Sequence, residues 1–135
     1  MSTQHGSYEK IPGRPLTEQE AAWVNEIVLA NPRWADTTIT SLRVVAECSC
    51  GCRSIALEKP PQPQNPGLLG HQGLVGEIEL CVRTHGRDDV IGILLHFAEG
   101  SLSLLEVIWY NFPEPVPSEW VEISRHVSAA SWPAG

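Results

Sequence analysis

Positive charge is scarce in this chain. Nine Lys and Arg stand against sixteen Asp and Glu, a formal net charge of −7 over 135 residues. A surface of that sign does not supply the basic patches that displace counterions from phosphate, which speaks against nucleic-acid binding. Long apolar sequence is lacking too. No run approaches the roughly 18 residues that span a bilayer as a helix, and residues 1–10 lack the charged-then-apolar pattern of a secretory signal. The expectation is a cytoplasmic protein without a membrane partner. Its four Cys are then thiols or metal ligands, not disulfides. Catalytic motifs are missing as well. There is no G-x-S-x-G and no H-E-x-x-H. The glycine-rich stretch 70–76 has no phosphate-binding Lys and leads into a strand, which rejects a P-loop. Ser, His and Asp are all present with no arrangement that joins them, so a non-enzymatic protein is expected.

What is present is a strand-rich core. An apolar fraction of 42% and five Trp fit one folded domain. Residues 76–83 alternate, with Ile78, Leu80 and Val82 on one face and Glu77, Glu79, Cys81 and Arg83 on the other. Residues 85–89 then turn the chain. Residues 90–98 and 102–110 are apolar on both faces and joined through Glu99 and Gly100. Pairing Ala98 with Ser101 would set Leu95 opposite Leu104, Ile91 opposite Ile108 and Val90 opposite Trp109, in strands covered on both sides. Upstream, Thr17 and Glu20 form a capping box that opens a helix running to about Ala30, where Asn31 and Pro32 stop it. Trp23, Val24, Ile27 and Val28 are its apolar stripe, and Trp34 is expected in the core.

The predicted fold is α+β: the N-terminal helix on an antiparallel sheet of about five strands, at 42–48, 53–58, 75–84, 90–98 and 102–110, ending in a meander. Residues 1–15 and 126–135 are read as flexible tails around a single domain at 16–125. A proline-rich loop fills 59–73, since its prolines remove donors and fix φ. A short helix capped by Ser118 is expected near the C-terminus, anchored by Trp120 and Ile123.

Two groups of residues carry candidate chemistry. Cys48, Cys50 and Cys52 lie on one turn, and a three-residue loop Ser49, Cys50, Gly51 would set Cys48 across from Cys52 and Glu47 across from Arg53. With Cys81 as a fourth ligand, or His71 or His85 in its place, they could hold zinc, which takes four N or S ligands. Against this, C-x-C-x-C is not an established zinc spacing. Unliganded structural thiols and a redox pair both stay open. The second group is acidic and aromatic. From Glu99 onward there are five Glu and one Arg, interleaved with Trp109, Tyr110, Phe112 and Trp120. Aromatics rimmed by acids such as Glu114 and Glu119 suit an interface with a basic protein partner. His96, set among apolar residues, reads as a hydrogen-bonded structural side chain.

Arg14-Pro-Leu-Thr-x-x-Glu20, Cys48-x-Cys-Gly-Cys52, and Gly100-x-Leu-Ser-Leu-Leu-Glu-Val-Ile-Trp-Tyr110 followed by Pro-Ser-Glu-Trp120 form a further pattern. Over Arg14 to Trp120 it resembles a group of small uncharacterised actinobacterial proteins of about this length. Arg53 stands where that group often has Pro. The resemblance implies no activity. The last hairpin is also similar, in fold and size only, to small immunity proteins of bacterial toxin systems, which would make the basic partner a nuclease toxin.

Overall fold

His85 with Gly86 and Glu99 with Gly100 each take positive φ at both residues (53° and 77°, 53° and 75°). That is the type I′ geometry whose twist matches flanking antiparallel strands. These two turns generate the centre of the fold. The computed structural model describes residues 7–110, 117 and 119–131. Its elements are β1 (Tyr8–Pro15), α1 (Glu18–Ala30), β2 (Arg43–Cys48), β3 (Ile55–Leu57), a single 3-10 turn (Pro66–Leu68), β4 (Gln72–Thr84), β5 (Arg87–Ala98), β6 (Ser101–Trp109) and β7 (Val121–Ala129). All the strands join one antiparallel sheet in the order β1-β2-β3-β6-β5-β4-β7.

Among the described residues, seven strands replace the five expected from sequence, and the two additions are the sheet's edges. β1 lies in what reads as a loose tail, because its Pro and Gly break any periodic signal. β7 takes the place of the expected Ser118-capped helix and of part of the C-terminal tail; Ser118 itself lies outside the described residues. An edge strand is held through backbone bonds to one neighbour and leaves its side chains in water, so it writes little periodicity into the sequence. Registers shift too. Ala98 does oppose Ser101, but a bulge between His96 and Phe97 then sets Leu95 opposite Leu105 and Ile91 opposite Trp109. Charged residues 87–89 belong to β5, where Arg83 pairs with Asp88 across the hairpin at 2.7 Å.

Partners directly opposite share a face of the sheet. Ile78, Leu80, Ile91, Ile93, Leu95, Leu105, Val107 and Ile55 form the buried face, each 2% exposed or less. Helix α1 lies on this face, against β4, β5 and β7. Its Thr17 cap is a capping box: the Thr17 side chain accepts from the Glu20 amide at 3.1 Å, and Glu20 accepts from the Thr17 amide at 2.8 Å. Glu20 also accepts from both terminal guanidinium nitrogens of Arg14 at 2.9 and 3.1 Å, and Arg14 reaches on to Glu47 at 3.1 Å. One Arg thereby ties β1, α1 and β2 together. At the other end of α1, Asn31 is buried and donates its side-chain amide to the Val75 carbonyl at 2.8 Å.

The second face of β5 and β6, expected to be covered, is only half-buried. Leu94, Leu104, Glu106 and Ile108 share it with Glu77 and Glu79. His96 hydrogen-bonds Glu106 there at 2.9 Å. The proline-rich stretch is pinned to the β5–β6 turn: the Leu102 amide donates to the Gln64 side chain at 2.7 Å and the Asn65 amide to the Gly100 carbonyl at 2.8 Å.

Gly76 sits where both β7 and α1 crowd against β4. A Cβ there would stand 2.6 Å from the Ser128 carbonyl oxygen and 3.0 Å from Ile27 Cγ2. Gly76→Ala is expected to destabilise the protein by about 1–3 kcal/mol, the usual cost of overpacking. Urea denaturation checks this; an unchanged midpoint would refute the β7–β4–α1 packing.

Candidate metal centre

Cys48 ends β2, and its amide donates to the Ser54 carbonyl at 3.0 Å, closing a five-residue loop from Ser49 to Arg53. This corrects the three-residue hairpin expected from sequence. Glu47 faces Ile55, not Arg53, and turns instead to Arg14. The longer loop needs two residues at positive φ, Gly51 at 81° and Arg53 at 77°. Glycine adopts that conformation freely; Arg53 is strained there and must be held.

What holds it is aromatic. The Arg53 guanidinium lies 4.6 Å from the Trp120 ring centroid and donates to the Pro117 carbonyl at 3.3 Å. Trp120 meets Trp109 edge-on at 5.3 Å, and the Trp109 indole N–H donates to the Cys52 carbonyl at 3.2 Å. Trp109 and Trp120, expected from sequence in an interface with a basic partner, are half-buried and support the cysteine loop. Glu119 is exposed, with its backbone carbonyl accepting from Thr84. Tyr110 is 53% exposed on the half-buried sheet face, over Gly92. Phe112 and Glu114 lie outside the described residues.

The loop brings Cys48, Cys50 and Cys52 together with all three sulfurs within 4.8 Å of one another, close enough to hold a metal ion. Cys48 Sγ and Cys50 Sγ are 3.1 Å apart. Cys48 and Cys52 are buried, whereas Cys50 at the tip is half-exposed and leaves the cluster a way in. Tetrahedral thiolate ligation with Zn–S near ~2.3 Å sets sulfurs roughly 3.8 Å apart, so the cluster is of the right size. The expected fourth ligand is corrected. Cys81 sits on β4, four strands across the sheet from β2, or roughly 19 Å at the usual spacing. Among the described residues, neither it, His71, His85 nor any carboxylate joins the three thiols.

Ser54 completes the surroundings, and nothing in the sequence pattern singles it out. It is fully buried, its hydroxyl oxygen accepts from the Val107 amide at 2.8 Å, and it lies 3.2 Å from Cys52 Sγ. Burial pushes the Cys52 thiol up to about 12; hydrogen bonds with Ser54 oppose that, and Cys50 and Cys48 add to it. Burial likewise raises the Tyr8 hydroxyl to about 12, against a hydrogen bond with Ser54, with Cys48, Cys52 and Glu106 adding to the rise. β1 thus supplies a phenol beside the thiols, placed there by the pairing of Tyr8 with Cys48 across the sheet. Such groups orient the atoms that would bind a metal. No family model, curated protein or solved structure matches the chain.

Ser54→Ala should leave the buried Val107 amide unsatisfied and cost about 1–3 kcal/mol. Denaturant unfolding and faster hydrogen exchange at Val107 would register it; wild-type stability would remove Ser54 from this account.

Proposed function

We propose that this is a small metal-binding protein whose Cys48–Cys50–Cys52 turn holds a thiophilic ion, with zinc as the ion. The convergence of three thiols on one clamped loop carries this reading. Soft thiolates select zinc, monovalent copper or iron–sulfur clusters, and three sulfurs on one turn suit a single compact ion. The three cysteines bind; Ser54, Tyr8 and the Trp109–Trp120–Arg53 clamp fix their positions; water supplies zinc's fourth position. Bound zinc would also staple β2 to β3.

Native mass spectrometry is expected to find one zinc per chain, lost in Cys50→Ser and retained in Cys81→Ser. Because ligation needs deprotonated sulfurs, protons compete with the metal, so affinity falls as pH is lowered. Zinc at about a hundredfold excess over Kd should add ~2.7 kcal/mol, which is roughly 10 °C in Tm for a domain of this size. Metal-free protein whose Tm ignores both zinc and chelator would end the proposal.

A second reading, a binding module for a basic protein, draws support from one observation. Burial raises the Tyr110 hydroxyl and the nearby Glu77, Glu79 and Glu106 raise it further, so an exposed aromatic stands in an acidic field on the half-buried face. The immunity-like version names a cationic nuclease toxin as that partner. Charge complementarity acts chiefly on association rate. Glu77→Lys with Glu79→Lys should then slow capture of a cationic partner at least tenfold in surface plasmon resonance at low salt; unchanged rates would discard this face.

A further inference from the structure

We infer that the same three thiols form a receptor for a trivalent metalloid hydroxide, arsenite or its antimony counterpart. The inference rests on the reading of this turn as a ligand set and deepens it by naming a second class of ligand.

Ligand number is the first ground. The turn offers three sulfurs within 4.8 Å, and among the described residues no fourth His, Cys, Asp or Glu atom joins them. Zinc there must borrow a ligand from solvent. Trivalent arsenic needs three bonds only, because a lone pair occupies its fourth position.

Charge is the second ground. Three thiolates around a divalent ion leave the centre at −1, and around a monovalent ion at −2. Cys48 and Cys52 are buried, and an uncompensated charge in such a place is costly. The metalloid product carries no charge at all. Three S–H bonds and three As–O bonds break, three As–S bonds form, and each thiol proton leaves with a hydroxide as water. Arsenic begins and ends trivalent, so no oxidant or reductant is required.

Access and preorganisation are the third. Cys50 is half-exposed at the loop tip and can make the first bond, after which Cys48 Sγ, 3.1 Å away, and Cys52 complete the set. The loop cannot spread its thiols apart easily, since Trp109 holds the Cys52 carbonyl and Arg53 is held over Trp120. Each later bond is therefore intramolecular, at high effective concentration.

The test adds sodium arsenite to reduced, metal-free full-length protein and reads native mass spectra together with tryptophan fluorescence, because the Trp109 indole reports on the loop directly. The expected result is one arsenic per chain, with a mass gain equal to arsenic less three hydrogens, and a fluorescence change that saturates at one equivalent. Cys50→Ser and, separately, Cys52→Ser should each weaken binding at least about 100-fold, the size of a lost chelate arm. Cys81→Ser should bind as wild type. Circular dichroism of each variant identifies any that fails to fold, and Cys50, at the tip, is the substitution least able to disturb the core. Zinc binding without an arsenic adduct, or an adduct of equal strength in folded Cys50→Ser, overturns this inference and leaves the zinc reading standing. Arsenic binding without zinc does the reverse. Binding of neither overturns both.

Discussion

Among the described residues, one α-helix has to cover a sheet that is wider than the helix is long. Helix α1 has 13 residues, about 20 Å at 1.5 Å per residue, while seven strands span roughly 29 Å. Much of the architecture follows from that mismatch. α1 covers β4, β5 and β7. The rest of the core face is closed by residues from connections: Trp34, which meets Phe97 in a tilted contact at 5.3 Å between ring centroids, with Leu42 and Leu68. Connections that carry core residues must be fixed. This accounts for the buried Asn31 amide on the Val75 carbonyl and for the bonds that pin Gln64 and Asn65 to the β5–β6 turn.

The cysteine loop lies beyond the reach of the helix and is stabilised differently. Its neck is closed by backbone bonds and by Ser54, whose hydroxyl serves both the Val107 amide and the Cys52 sulfur. Its tip is held by the indole of Trp109 and the stack of Arg53 on Trp120. Cation–π contacts of this kind contribute about 0.5–2 kcal/mol, comparable with the 1–3 kcal/mol cost of holding Arg53 at positive φ. The aromatic residues near the C-terminus and the cysteines near residue 50 thus form one structure, in which the first orders the second.

The amino-acid sequence by itself determined whatever is governed by nearest neighbours and periodicity. The Thr17–Glu20 capping box, the stop at Asn31, the buried stripe of α1 and the reversal at Glu99 and Gly100 each depend on interactions within a few residues. The closeness of Cys48, Cys50 and Cys52 along one turn belongs here too, whereas the convergence of their sulfurs belongs to the folded loop and its aromatic clamp.

Tertiary structure alone decided the rest. The edge strands β1 and β7 exist only because β2 and β4 offer them backbone partners. A single bulge at His96 moved a whole register by one residue, and a loop of five residues instead of three moved Glu47 from Arg53 to Arg14. Cys81 is a thiol like the others, yet strand order sets it four strands away, while Ser54 and Tyr8, unremarkable in sequence, are brought to the sulfurs. Strand order and register depend on which distant segments bury the most apolar surface together, and no local pattern encodes that sum.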